Sequence, residues 1–96
     1  MDEHLYIISY DIREPRRWRR TFKLLHAYGE WVQLSVFQCR LSSRRKAELF
    51  TRLDEIIHHK EDHVMIIDLG TADTVKLRII SLGKTFEPLK REPLVV

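Results

Sequence analysis

Strand-like apolar runs and two amphipathic helical segments alternate along this chain of 96 residues. The first run, 4–11, is rich in Ile, Leu and Tyr and predicts a largely buried strand. A helix is expected to open at Glu14-Pro15, because proline is tolerated in a first turn and an acid suits the N-terminal dipole. Gly29 is predicted to end that helix as a left-handed cap. Its predicted apolar stripe comprises Trp18, Thr21, Phe22 and Leu25.

The next run, 30–41, is strand-like, but its apolar parity changes near Ser35-Val36. This change predicts a bend or a tight turn that splits the run into two strands. No Gly, Asn or Pro marks a turn, so local rules leave one bent strand and two strands as alternatives. Ser42 is the predicted cap of a second helix that continues to about His59.

Three more strand-like segments follow the second helix. Residues 64–69 form an apolar run closed by Gly70, and residues 77–82 form another that ends at Gly83. The segment 93–96 resembles a short edge strand. The order predicts an α+β, ferredoxin-like βαββαβ domain over 1–83 with an additional C-terminal strand or strands, and a tail over 84–96.

Two helices can cover only one face of the predicted sheet. The other face is expected either to contact water or to be covered by a second copy of the chain. The apolar extra strands favour the second copy, so we predict a homodimer through the sheet face, with the tail contributing to it.

The charge distribution and the cysteine content indicate which partners and which cellular compartment the protein fits. The net charge is +3, and residues 1–60 hold 12 Lys and Arg against 8 Asp and Glu, while residues 61–96 hold 5 against 6. The basic excess therefore lies in the first part of the chain and favours anionic partners. A lone cysteine, Cys39, fits a reducing compartment. The polar start and the lack of a long apolar run predict a cytoplasmic protein that spans no membrane.

Asp11 stands at the end of the first apolar run. A carboxylate at a strand end is a common place for a metal ion, and Mg²⁺ often takes only one or two protein carboxylates. One aspartate fixes a metal poorly, but a two-fold dimer would bring two copies together. Such a metal would activate water and neutralise charge on a phosphate. The alternative is an aspartate that only caps the loop after the strand.

A dense basic cluster follows Asp11 at once. Its members are Arg13, Arg16, Arg17, Arg19, Arg20 and Lys23. Several cations on one helix face can bind phosphates in a salt-dependent, sequence-tolerant way. Glu14 is the one nearby acid in the sequence, so internal pairing leaves most of this charge free. The alternative is a solvated helix face, and the same two interpretations apply to a weaker patch at Arg44, Arg45, Lys46 and Arg52.

Other side chains are weaker candidates. Tyr10 could stack on a base, contact a phosphate or simply pack, and Phe37 fits the core better than a stacking platform. Three histidines and two carboxylates remain: His58, His59, His63, Asp62 and Asp68. The histidine spacing matches no four-ligand zinc pattern and favours a solvated helix end. Asp68 lies in an apolar strand, which makes it the better second carboxylate.

Four short motifs resemble one known family. They are Tyr-Asp-Ile at 10–12, the basic helix, Tyr-Gly at 28–29, and Val-Gln-x-Ser-Val-Phe-x-Cys at 32–39. Together they resemble the small CRISPR-associated endonuclease family, the second core protein of spacer adaptation. The resemblance covers nearly the whole chain, including its length and element order.

This resemblance implies a homodimer in which Asp11 of each protomer shares Mg²⁺ or another divalent ion such as Mn²⁺. It implies metal-dependent cleavage of single-stranded RNA or double-stranded DNA, with Asp11 and Tyr10 as catalytic residues. It also implies nucleic-acid contacts by the basic cluster and Phe37, with Arg17 and Arg19 as the best matches to the family's functional arginine. The alternative role is a non-catalytic DNA-binding scaffold beside the adaptation integrase.

Overall fold

The computed structural model describes residues 2–83 of the chain. Six elements follow one another: β1 (His4–Asp11), α1 (Pro15–Tyr28), β2 (Glu30–Gln33), β3 (Val36–Leu41), α2 (Ser43–Ile56) and β4 (His63–Thr71). The strands form one antiparallel sheet in the order β2-β3-β1-β4. This arrangement confirms the predicted α+β class and the βαββαβ order.

Helix α1 begins as the sequence predicts but ends for a different reason. Glu14 is the N-cap and accepts a hydrogen bond from the backbone N–H of Arg17, at 2.8 Å, and Pro15 is the first helical residue. Gly29 is not the left-handed cap that we predicted, because its φ and ψ are −162° and −160°, an extended conformation. A Cβ at this position would overlap the carbonyl oxygen of Gln38 and the Sγ of Cys39. Glycine is therefore required by close packing of the helix end on β3.

The run at 30–41 forms two strands joined by a tight turn. Gln33 pairs with Val36 across a two-residue connection, Leu34-Ser35. Leu34 has a φ of 40°, a conformation that usually calls for glycine. Its carbonyl accepts a hydrogen bond from the indole N–H of Trp31, at 2.8 Å. The structure therefore decides between the two alternatives in favour of a hairpin.

Helix α2 begins at the predicted cap and ends earlier than predicted. The Ser42 hydroxyl accepts a hydrogen bond from the N–H of Arg45, at 3.2 Å. The helix ends at Ile56 instead of continuing to about His59. The backbone N–H of His58 donates to the Asp62 carboxylate, at 2.7 Å, and this contact holds the chain in a turn. Asp62 therefore shapes the connection between α2 and β4.

Both helices pack on the same face of the sheet. Alternate residues of β1 and β3 form the centre of this core with the inner residues of the helices. The buried set includes Tyr6, Ile8, Tyr10, Phe22, Leu25, Phe37, Cys39, Leu41, Leu49 and Leu53. Val64 and Ile66 of β4 pack against the edge of this cluster. We name this side of the sheet the helix face.

The opposite side of the sheet, which we name the open face, carries the other residues of each strand. It includes Leu5, Ile7, Ser9 and Asp11 of β1, Val36 and Gln38 of β3, and His63, Met65 and Ile67 of β4. Met65 and Ile67 are 47% and 40% exposed. Near the far end of this face, the segment after β4 lines a shallow groove with Leu5 and Gln38. The same segment also lines a groove with β2 and Gln38, so the clearly exposed apolar part of this face is on β4.

The predicted strand at 77–82 is not formed. An extended segment becomes a strand only when its backbone pairs with a neighbour, and no pairing partner is present for it in residues 2–83. Its Ile80 and Leu82 are 87% and 90% exposed. The predicted tail, 84–96, with its edge strand at 93–96, lies outside the described residues. Neither helix of the described part is long and apolar enough to cross a membrane.

Candidate nucleic-acid and metal site

Asp11 lies at the end of β1 on the open face. Tyr10 and Ile12 on either side of it are buried, whereas Asp11 is exposed. Its carboxylate forms no hydrogen bond or ion pair with residues 2–83, so its oxygens are accessible. The antiparallel register places His63, the first residue of β4, directly opposite Asp11. An accessible carboxylate at this position fits the preference of Mg²⁺ for carboxylate and water oxygens.

One protomer supplies few metal ligands. No group of three or more His, Cys, Asp or Glu side chains in residues 2–83 is arranged to hold a metal ion. Mg²⁺ is often bound through one or two carboxylates with water in its other positions. The geometry therefore fits a metal only as part of a shared site, and Asp11 lies on the face that a second copy would cover.

A shallow groove of about 370 Å³ runs beside Asp11. It is lined by Asp11, Arg13, Glu14, Arg17, Glu61 and Asp62. Arg13 is exposed and forms no ion pair with residues 2–83. The groove thus joins the carboxylate to the start of the basic helix, which is the juxtaposition that the sequence predicts.

Arg17 is held in place by acids that sequence reasoning missed. Its Nε donates to Asp62 at 2.7 Å, and its Nη2 donates to Glu61 at 3.1 Å. The Asp62 side chain is only 1% exposed. The hydrogen bond from Arg17 is the main cause that lowers the pKa of Asp62, with a further contribution from the His58 N–H. Arg17 therefore fastens α1 to the loop before β4, across 45 residues of sequence.

The other cations of α1 remain available. Arg16, Arg20 and Lys23 are exposed, and Arg19 is half-buried. None of these four forms an ion pair with residues 2–83. They lie at three- and four-residue spacings on the outer side of α1. The helix thus presents positive charge that no acid in residues 2–83 neutralises by an ion pair, although Arg17 contributes less of it than the sequence indicates. The cations that line the groove with Asp11 are Arg13 and Arg17.

Tyr10 and Phe37 lie on the helix face, away from Asp11. Both are buried, and their rings stack with centroids 6.4 Å apart. Burial raises the pKa of the Tyr10 phenol. The structure does not bring these two rings to the open face beside Asp11, so their predicted roles in catalysis and binding stay predictions. Both rings pack in the core of this protomer.

A second basic patch lies at the start of α2. Arg44 and Arg45 are exposed there, and the guanidinium of Arg45 lies 4.7 Å from the ring centroid of Tyr28. The Tyr28 hydroxyl donates to Glu48 at 2.7 Å. The hydrogen bond from Tyr28 is the main cause that lowers the pKa of Glu48. This patch is partly neutralised by Glu48, unlike the outer side of α1.

The remaining candidate acids and histidines lie apart from Asp11 or have other partners. Asp68 lies toward the opposite end of β1, where its carboxylate contacts His4 Nδ1 at 2.9 Å and accepts the Gly70 N–H at 2.8 Å. The structure does not bring Asp68, the predicted second carboxylate, to Asp11, because the acids that line the groove with Asp11 are Glu14, Glu61 and Asp62. His59 pairs with Asp54 at 2.7 Å.

A model of the family described as CRISPR associated protein Cas2 matches residues 4–77 of the chain. The chain belongs to the Cas2 family of CRISPR-associated proteins. A curated relative from Geobacter sulfurreducens, named CRISPR-associated endoribonuclease Cas2, is 55% identical over 94 residues, covering 98% of this chain and 99% of the relative. The family expected from the four motifs is therefore confirmed.

Two solved Cas2 structures match the fold. The crystal structure of Streptococcus pyogenes Cas2 at pH 6.5 has a TM-score of 0.72 and 30% identity, over 82% of this chain and 99% of that one. A chain of a partial Cas6-RT-Cas1–Cas2 complex has a TM-score of 0.62 and 27% identity, over 70% of this chain and 79% of that one. The second structure is of a Cas2-containing assembly with Cas1.

Proposed function

We propose that this protein is a divalent-metal-dependent endonuclease of CRISPR spacer acquisition that cleaves phosphodiester bonds in RNA or double-stranded DNA. The observation that carries the proposal is the accessible Asp11 carboxylate, which shares one groove with Arg13 and Arg17 at the start of the basic segment. Metal ligation needs the carboxylate, and phosphate binding needs the cations. The name endoribonuclease of the Geobacter sulfurreducens relative supports a nuclease over other phosphate-binding proteins.

The proposed site is formed by two protomers. Asp11 from each would hold Mg²⁺, or another divalent ion such as Mn²⁺, and the bound ion supplies an activated water and neutralises phosphate charge. Arg13 at the groove and the cations of α1 would hold the flanking phosphates. Arg17 would act indirectly, since its contacts with Asp62 fix the start of α1 relative to the groove.

The homodimer is supported by the composition of the open face. Ile67 and Met65 expose large apolar side chains around the axis on which the two Asp11 residues would meet. Ile80 and Leu82 add exposed apolar surface in the segment after β4. Exposed apolar side chains on one face of a sheet, such as Met65 and Ile67, are typical of interaction sites in soluble proteins. A second copy of the chain packed on this face would cover these apolar side chains. It would also bring a second Asp11 to the site.

The test is Asp11→Ala in the purified protein. We expect Mg²⁺-dependent cleavage of single-stranded RNA and of duplex DNA to disappear, while affinity for duplex DNA in a fluorescence anisotropy titration is retained. Glu55→Ala removes an exposed carboxylate from α2 and is the matched control, with cleavage unchanged. Wild-type protein that cleaves neither substrate with Mg²⁺ or Mn²⁺ over a range of pH would remove the nuclease proposal.

The second candidate function is a non-catalytic DNA-binding scaffold for the adaptation integrase. Two observations favour this role. A related chain was solved in a Cas1–Cas2 assembly, and residues 2–83 contain no group of three or more side chains that could hold a metal ion. In this role the cations of α1 would clamp the backbone of duplex DNA. Formation of a stable complex between the integrase and the Asp11→Ala variant, with unchanged spacer integration, would favour the scaffold.

The cations of α1 can be tested independently of cleavage. Replacing Arg16, Arg19 and Arg20 by Ala should reduce the dependence of log K on log [salt] for duplex DNA by about 0.9 for each phosphate that the helix no longer binds. An Arg17→Ala variant is the informative comparison, because Arg17 is already paired with acids. An unchanged slope in the triple variant would exclude the outer side of α1 from the footprint.

A further inference from the structure

His63 is brought next to Asp11 by the register of the sheet. Residue 63 is separated from residue 11 by α1, the hairpin and α2, so nothing in the local sequence predicts their proximity. The β1–β4 pairing aligns the two residues as Cα partners. Directly opposed residues of an antiparallel pair have Cβ atoms about 4.5–5.5 Å apart and project to the same side of the sheet.

The burial pattern of β4 defines that side. Val64 and Ile66 pack against the core on the helix face, whereas Met65 and Ile67 are exposed. Because side chains alternate along a strand, His63 belongs with Met65 and Ile67. Its ring is exposed on the open face, as is the Asp11 carboxylate.

The side chains of Asp11 and His63 have no hydrogen-bonding partner within residues 2–83. Neither Asp11 nor His63 forms a hydrogen bond or ion pair with the other, or with any residue in 2–83, whereas His59 pairs with Asp54 and His4 with Asp68. A neutral imidazole nitrogen and a carboxylate oxygen side by side form a two-ligand set. An imidazole is a good ligand for Fe²⁺, Co²⁺, Ni²⁺ or Zn²⁺, whereas Mg²⁺ prefers oxygen ligands.

We propose that His63 is a metal ligand beside Asp11, which gives the site an affinity for imidazole-accepting transition ions in addition to Mg²⁺. The proposal rests on the metal site of the proposed function. In a dimer closed through the open face, each protomer would contribute one carboxylate and one imidazole. The shared site would then contain four protein ligands, two from each protomer.

The experiment compares Co²⁺ and Mg²⁺ binding to the full-length protein by isothermal titration calorimetry. In wild type we expect Co²⁺ to bind more tightly than Mg²⁺. His63→Ala should weaken Co²⁺ binding by about tenfold or more and leave Mg²⁺ binding nearly unchanged. Asp11→Ala should weaken both. His59→Ala, which removes an exposed histidine with a different partner, is the matched control and should change neither.

A spectroscopic readout identifies the ligand directly. In protein labelled with ¹⁵N in its histidine rings, substoichiometric Co²⁺ should broaden the ring signals of His63 and not those of His59. His63→Gln provides an amide oxygen in place of the imidazole and should keep Mg²⁺ binding without restoring Co²⁺ affinity. Thermal unfolding of each variant verifies that the fold is kept.

The outcomes separate this proposal from the nuclease proposal. Unchanged Co²⁺ affinity in His63→Ala, with no selective broadening of the His63 ring signals in wild type, would overturn the role of His63 even if Asp11→Ala abolishes cleavage. Loss of Co²⁺ affinity in His63→Ala, in a protein that never cleaves nucleic acid, would support the metal site and reject only the nuclease proposal.

Discussion

The helix face and the open face of the sheet are built from alternate residues of the same strands. On the helix face, Tyr10 and Phe37 stack in a closed core, and α1 ends so close to β3 that Gly29 has no room for a Cβ. On the open face, Asp11 and His63 stand exposed among apolar side chains such as Ile67. The core stabilises one protomer, whereas the open face is suited to contacts between molecules. A single step along a strand thus decides whether a side chain enters the core or lies on the open face.

The largest loss of stability is expected for a substitution at the centre of the helix face. Phe37→Ala should lower the free energy of unfolding by about 3–5 kcal/mol, because removal of a fully buried ring leaves a cavity. Chemical denaturation followed by circular dichroism measures this change. A variant with wild-type stability and weakened nucleic-acid binding would show that Phe37 belongs functionally to the open face, against the observed packing.

Gly29→Ala tests the close approach of α1 to β3. The added methyl group meets backbone and sulfur atoms, so we expect a loss of about 1–3 kcal/mol in the free energy of unfolding. The matched control is Gly83→Ala, where a Cβ meets no atom within 4 Å, although its φ of 86° adds local strain. A loss in Gly29→Ala no larger than that in Gly83→Ala would contradict close packing as the reason for glycine at position 29.

The link between Arg17 and Asp62 should depend on pH. The pKa of Asp62 in the folded protein lies below its ordinary value of 3.8, because the carboxylate accepts hydrogen bonds from Arg17 and from the His58 N–H. Its contribution is complete above pH 3.8 and is lost as the pH falls through the lowered value. Arg17→Ala should therefore lower the Tm by several degrees at pH 7 and by less at pH 3.

Arg20→Ala is the control for that experiment. Arg20 is an exposed arginine of the same helix that forms no ion pair with residues 2–83, so its replacement should leave the Tm nearly unchanged at both pH values. A Tm difference between Arg17→Ala and wild type that stays constant between pH 7 and pH 3 would contradict the assigned ion pair.

The smallest effect on the stability of a protomer is expected on the open face. Ile67→Ser should change the free energy of unfolding of the dilute monomer by less than about 1 kcal/mol, because 40% of the residue is already exposed. The same change should weaken dimerisation, measured by light scattering over a concentration series. A large loss of monomer stability with an unchanged dimer would reverse the assignment of the two faces.

Local signals in the sequence predict the order of the elements well. Glu14-Pro15 and Ser42 predict the starts of both helices, since capping depends on a few adjacent residues. The turn at Leu34-Ser35 is ambiguous in the sequence, because tertiary packing imposes a positive φ on a leucine there. The predicted strand at 77–82 was wrong because strand formation depends on a pairing partner as well as on apolar residues.

The sequence could predict the main members of the candidate site, but it could not predict their long-range contacts. Asp11 and the free cations of α1 are adjacent in sequence, so a motif contains them. The partners of Arg17 and the neighbour of Asp11 come from residues 61–63, which only the sheet register and the preceding loop bring close. The sequence shows that residues 61 and 62 are acidic, but it does not show that they pair with Arg17 of α1.

The packing of Gly29 against β3 also has a practical consequence for Cys39. Cys39 is 1% exposed, and burial raises the pKa of its thiol to about 11. Since the thiolate is the reactive form, a small maleimide at neutral pH will modify Cys39 only in molecules that have opened. The rate of alkylation therefore reports how often α1 and β3 separate. The alkylation rate of Cys39 can thus measure opening of the core, both in the free protein and in any assembly that contains it.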